Sequence, residues 1–321
     1  MEKLSPVVLE SFGINSRSIR KEKGCHIVDT GGGLVKINIS YESTDAICLQ
    51  HSQKEHIAAE GFPWVDRYRV ANTGQPFCLI GRDTYIATAY PKHQQELDFE
   101  NERSVINAFE TLARFHTAAR SMPQKDTPAS QPLPDIYIRQ LAELAQAGKQ
   151  ARRGPRMSDF DVAFIKHAAP ATETIQNAID CLTKTCYLEL YANAIGQNSL
   201  CHNALKEENM PEAGNSMYII NFSKATIDLQ LNDLAALIRR YAQRSSKSLP
   251  INRLIKAYGS ISPLPNEGEK ILHAQLVFPW AFMKIVGQYY SKKRNWTPNG
   301  LLNRLDAILA EKENYEKYIV M

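Results

Sequence analysis

Apolar and polar positions follow two regimes along this chain. Over about the first ninety residues, apolar side chains come in short runs broken by turn formers. HIVDT (26–30) and LVKINIS (34–40) flank the triplet Gly31-Gly32-Gly33. That pattern predicts a hairpin, because glycines supply the positive φ angles of tight turns. A helical stretch over 43–60 is stopped by Gly61-Phe62-Pro63. WVDRYRV (64–70), PFCLI (76–80) and TYIATAY (84–90), separated by Asn72-Thr73-Gly74 and Arg82-Asp83, read as three more strands. An antiparallel sheet of about five strands with one inserted helix is expected.

After Tyr90-Pro91 the spacing becomes helical. VINAFETLARFHTAAR (105–120) has apolar residues at three- and four-residue intervals and a basic last turn. Residues 121–134 hold four prolines and no periodicity, which marks a loop. Helices are expected over 135–150 and 158–183, then a hairpin-like patch from SLCHN to MYIINFS, then helix to the end. The fold class is therefore α+β, with a β-rich lobe over 1–91 and a mainly helical lobe over 92–321. No internal repeat is visible.

Composition narrows this little. The 321 residues are 44% hydrophobic and 22% charged, ordinary for a chain that buries a core, and exclude disorder, collagen and coiled coil. A net charge of +4 is far below the concentrated basic surface of a dedicated nucleic-acid binder. No run approaches the roughly 18 apolar residues of a spanning helix, and the first residues lack a signal-peptide core, so no membrane association and no signal peptide are expected. The six cysteines show no CxxC pair or zinc spacing and are expected mostly as buried free thiols.

The most informative segment is 200–240. It holds His202, Ala204, Asn209, the apolar run Tyr218-Ile219-Ile220 leading to Asn221-Phe222, and Asp233-Leu234. It resembles the catalytic core of the aminoglycoside/choline-kinase-like phosphotransferases, and within them the CotS-type spore coat proteins. That family carries H-x-D-x-x-x-x-N, a short hairpin, an apolar strand ending in D-F, and a D-L pair opening a helix. Lys36 stands where the family places its nucleotide-phosphate lysine. TYIATAYPK is similar to the strand entering the hinge, LARFHTAAR to the family's L-A-x-x-H helix, and 257–290, with its Phe278-Pro279 pair, to the CotS-type tail. The resemblance implies a bilobal protein-kinase-like fold with ATP and Mg²⁺ chemistry between the lobes.

Two positions depart from the family. The aspartate that would accept the substrate proton is Ala204, and the metal-binding aspartate of the D-F pair is Asn221. Only Asn209 remains of the metal-side pair. A positioned base is worth about 10² to 10⁴ in rate, and phosphoryl transfer is mostly metal-assisted positioning. A neutral amide holds Mg²⁺ more weakly than a carboxylate. The expectation is a pseudokinase with no intact catalytic residue, no metal site and no required cofactor, ATP and Mg²⁺ binding weakly if at all. Among nearby acids, Asp83, Asp98 and Asp228, only Asp228 is a conceivable substitute.

Blander readings stand beside these. Lys36 is either the phosphate lysine, partnered by Glu55 or Glu60, or a solvent-facing strand residue. The glycine triplet reads as an ordinary turn ahead of a phosphate loop. His202 and His116 read as core residues, and Asp233 as a structural acid at a helix start that holds the loop bearing Ala204. QYYSKKRNW (288–296) reads as a basic helix end as readily as an anionic-surface contact. The resemblance implies a spore coat structural or assembly protein, made in the mother-cell cytoplasm and recruited by other coat proteins, without nucleic-acid partners. The alternatives are a slow small-molecule kinase, or a module that binds nucleotide or sugar in the interlobe cleft without turnover.

Overall fold

The computed structural model describes residues 4–123, 127–153, 156–247, 249–291 and 298–319. The chain opens with α1 (Pro6–Ser11), followed by β1 (Ser18–Glu22), β2 (Cys25–Asp29), β3 (Leu34–Ser40), α2 (Thr44–Ala59), β4 (Cys78–Ile80) and β5 (Asp83–Tyr90). The five strands form one antiparallel sheet in the order β1-β2-β3-β5-β4. The Ser43 side chain caps α2 by accepting from the Ala46 amide, and Gly61, at φ +96°, turns the chain out of it.

The helical part follows: α3 (Glu102–Ala118), α4 (Leu133–Ala151), α5 (Asp159–Lys184) and α6 (Tyr187–Gly196). Then come two-residue strands β6 (Leu200–Cys201), β7 (Glu212–Ala213), β8 (Ser216–Met217) and β9 (Thr226–Ile227), and helices α7 (Leu231–Arg244), α8 (Ile251–Gly259), α9 (Gly268–Val277), α10 (Trp280–Tyr290) and α11 (Pro298–Ile319). β6 pairs with β9 and β7 with β8, so the stretch 200–227 is a pair of small ribbons set among helices. Ser158 and Asp161 form a reciprocal capping box at the start of α5.

One expected strand is replaced by another. Residues 64–70 run beside the C-terminal half of β5, with the Arg69 amide bonded to Ala87 and the Ala89 amide to Arg67, but form only isolated bridges and no ladder strand. The chain leaves the sheet there because Val65 pairs with Ile219. The fifth strand is β1, SIRKE, whose one large apolar residue, Ile19, is itself exposed. An edge strand with both faces wet carries no alternation for pattern reading to find. Helix α6 is an addition to the expected elements, separated from α5 by only Thr185 and Cys186. All six cysteines are free, but only Cys78 and Cys201 are buried; the other four are half-buried.

Two apolar clusters organise the chain. The smaller joins Val8, Phe12, Val28, Ile37 and Ala87 between α1 and the sheet. The larger fills the helical part and also takes Ile57, Phe62 and Val65 from the end of α2 and beyond. Phe115 on α3 is its pivot: its ring meets Phe62 at 5.8 Å, Phe222 at 5.9 Å and His202 at 6.3 Å, all edge-on. Phe115→Ala is expected to cost about 3–5 kcal/mol, measured as a lowered urea midpoint.

Candidate functional site

Helix α7 begins the site by burying a carboxylate. Asp233, in its first turn and fully buried, accepts the amides of His202 (2.6 Å) and Asn203 (2.8 Å). Its Oδ2 also lies 3.2 Å from His116 Nε2, and His116 Nδ1 lies 2.8 Å from the Tyr258 hydroxyl. A neutral imidazole with its proton on Nε2 satisfies both contacts, donating to Asp233 and accepting from Tyr258. Asp233 thereby fixes the loop in which Asn203 takes a φ of +57°. His202, also fully buried, bonds through Nε2 to the Ile220 carbonyl at 2.9 Å, tying the loop to the strand-like run that ends at Asn221.

The next four groups close on one another. Asn209 donates from Nδ2 to the Ala204 carbonyl at 2.7 Å, and its own carbonyl accepts the Ile220 amide at 3.0 Å. The Asn221 Nδ2 faces Asn209 Oδ1 at 3.4 Å, and the Ser223 hydroxyl donates to Asn221 Oδ1 at 2.8 Å. Asn221 is exposed and sits at φ +67°, a conformation asparagine tolerates. Ala204, Asn209 and Asn221 are thus brought together. As a Mg²⁺ site the set does not fit: both amide oxygens are engaged, and a hard dication asks for carboxylates. Among the described residues no group of three or more His, Cys, Asp or Glu side chains is arranged to hold a metal ion.

In the sheet, Lys36 lies on β3 paired between Ile27 and Thr88. Glu55 does not approach it. Glu55 pairs with Arg67 and lies 3.9 Å from His51, and the Arg67 hydrogen bond holds its carboxyl below the usual range. Glu60 is exposed just past the end of α2. The phase of α2 explains this, since its buried stripe is Ile47, Gln50, Gln53, Lys54 and Ile57, which leaves Glu55 on the outer side.

Sequence reasoning missed the stripe's polar members. Lys54 is 1% exposed, its ammonium 2.8 Å from Asp66 Oδ1, 4.1 Å above the Tyr68 ring and 5.4 Å from that of Phe222. Burial draws its pKa down, and the Asp66 charge opposes the shift. Asp66 Oδ2 is 3.4 Å from the backbone nitrogen of Asn221. Gln50 accepts from the Tyr68 hydroxyl and donates to Glu42. The available signal was a lysine at helical spacing between Ile47 and Ile57, which calls for a nearby acid.

The glycine triplet joins β2 to β3, and its polar groups are used within the turn: the Gly31 amide bonds Asp29, and Gly33 accepts from the Thr30 amide. An added Cβ on Gly31 would come within 2.5 Å of the Arg17 guanidinium. The opposite end of the sheet is closed by the two-residue turn Lys23-Gly24, from which Lys23 reaches Glu96 at 2.9 Å. Asp83 is exposed on β5, Asp98 accepts from the Glu100 amide, and Asp228 is buried with its carboxylate on the Leu229 amide. Of the basic stretch 288–296, Lys292, Lys293, Arg294, Asn295 and Trp296 lie outside the described residues. No helix among the described residues is long and apolar enough to cross a membrane.

A small antiparallel sheet, a helix behind it, and a helical body presenting the 202–221 loops beneath define a kinase-like phosphotransferase fold. The structure of an aminoglycoside phosphotransferase from Alicyclobacillus acidocaldarius superposes with a TM-score of 0.85 at 17% identity, covering 99% of this chain and 95% of that one. A spectinomycin phosphotransferase solved with ADP and spectinomycin gives 0.62 at 15%, covering 98% and 96%. Residues 6–321 match the family described as "Spore coat putative kinase YutH", and the chain belongs to that family. Spore coat protein S of Bacillus subtilis (strain 168) is 21% identical over 272 residues, 82% of this chain and 76% of the relative.

Burial holds the pKa values of His116 and His202 below 6.5. Burial alone would raise Asp233, but its bond from His116 and the His202 amide hold it below the ordinary carboxylate value. Both histidines are neutral when folded and take up protons more readily when unfolded, so stability is fully present above pH 6.5 and declines as pH falls. Both histidines are therefore expected to cost stability as the pH is lowered below 6.5, with Asp233 adding to the loss at still lower pH. Chemical denaturation at pH 7.5, 6.5 and 5.5 measures this; a flat profile contradicts it.

Proposed function

We propose that this chain is a structural or assembly component of the bacterial spore coat that carries the kinase-like fold without phosphoryl-transfer activity. One observation carries the reading: at the cleft floor, Asn209 is bonded to the Ala204 carbonyl and faces Asn221, so proton acceptor and metal carboxylate are both missing from the place where the fold presents them. A missing base alone costs about 10² to 10⁴ in rate, and a neutral amide at the metal position removes the charge stabilisation that phosphoryl transfer relies on. Asp228, engaged with the Leu229 amide, is no replacement base.

On this reading the protein needs neither ATP nor Mg²⁺. It is made in the mother-cell cytoplasm and taken into the coat by contacts with other coat proteins; family membership and the likeness to spore coat protein S support this.

Purified protein with Mg²⁺-ATP and hydroxyl-bearing acceptors is expected to release no ADP above the uncatalysed rate, and its melting temperature to be unmoved by ATP with or without Mg²⁺. In sporulating cells, Lys36→Ala and Asn209→Ala are expected to leave coat incorporation unchanged by fractionation. Steady metal-dependent ATP turnover overturns the proposal, and an ATP shift without metal or turnover replaces it with a nucleotide-binding module.

A further inference from the structure

Among the described residues, Lys54 is a strongly desolvated cation close to the Asn221-Phe222 segment. Lys54 enters from α2 with its side chain 1% exposed, and its ammonium is partnered by Asp66 at 2.8 Å and covered by the Tyr68 and Phe222 rings. An unpaired ammonium in such a place is costly, whereas a carboxylate and aromatic faces make it tolerable. The second Asp66 oxygen lies 3.4 Å from the backbone nitrogen of Asn221. Through one carboxylate, the ammonium is thus linked to the residue that would carry a metal-binding carboxylate in a phosphotransferase of this fold.

We propose that Lys54 is an internal cation, its ammonium taking the position in the charge balance that a divalent metal takes in a phosphoryl-transferring cleft, so that the Asn221-Phe222 segment is held by the chain's own charge. The charges around it agree. Lys54 and Asp66 cancel, Asn209 and Asn221 are neutral, and the more distant Glu42 and Lys36 act on Lys54 with opposite signs. A dication entering here meets the Lys54 ammonium, with the Asp66 carboxylate already committed to it. The neutral residue at 221 and the lysine at 54 are two halves of one arrangement: an aspartate at 221 would draw on the same ammonium. Asp66 thereby does double service, neutralising Lys54 and facing the backbone of the loop that a metal would otherwise order. This deepens the reading above and is tested without nucleotide, so the two can fail separately.

The probe is Mn²⁺ alone, titrated by electron paramagnetic resonance against wild type, Asn221→Asp and the double variant Lys54→Met/Asn221→Asp. Asn221→Asp, at an exposed position, is expected to bind Mn²⁺ within about threefold of wild type because the new carboxylate answers to Lys54; the double variant, with Asp66 and position 221 both free, is expected to bind at least about tenfold tighter. Equal affinity of the single and double variants overturns the proposal. Should the double variant not fold, the single variant decides. A tenfold or greater gain with Lys54 intact overturns the internal cation, and no gain upholds it. In an ordinary buried ion pair with no bearing on the metal position, Asn221→Asp would gain affinity whatever stands at 54.

Discussion

The buried carboxylate of Asp233 is the constraint on which the rest of the cleft depends. A fully desolvated negative charge is tolerable only with donors on it, and here two consecutive backbone amides and an imidazole supply them. Those donors belong to α3 and to the loop after β6, so one charge fixes the relative placement of two helices and the loop between two ribbons. None of this energy comes from the side chains at 204 or 221. The scaffold of the loop and the chemistry it can support are therefore separable, and this chain keeps the first with an alanine and an amide at the positions of the second.

The same separation appears on the upper side of the cleft. Helix α2 is held from below, by Ile57 in the large core, by Gln53 on Thr127 and by Lys54 on Asp66. A helix held in this way has little freedom to swing relative to the helical body. The buried pair sets register more than it adds stability, since the desolvation of two charges consumes much of their attraction.

Much of this was legible in the sequence. The hairpin around Gly31–Gly33, helix α2 and helices α3 to α5 follow from periodicity and stop signals, and the spacing from His202 to Asp233 is that of the kinase-like family. What stayed hidden had physical reasons. β1 is a charged edge with no alternation. Glu55 and Glu60 are the acids that the resemblance offers opposite Lys36, but the helical phase turns Lys54 inward and Glu55 out. The closure of Asn209 on the Ala204 carbonyl depends on backbone geometry that no side-chain pattern encodes.

The outer edge of the sheet has a consequence of its own. Among the described residues β1, with Ser18, Ile19, Arg20, Lys21 and Glu22, pairs with a strand on one side only. An open edge is a template on which a neighbour's strand can add, and like charges arriving in register oppose that addition. Such an edge favours contact through side-chain surfaces over strand-to-strand growth. The charges that hide this strand from pattern reading are thus the same ones that guard its open side.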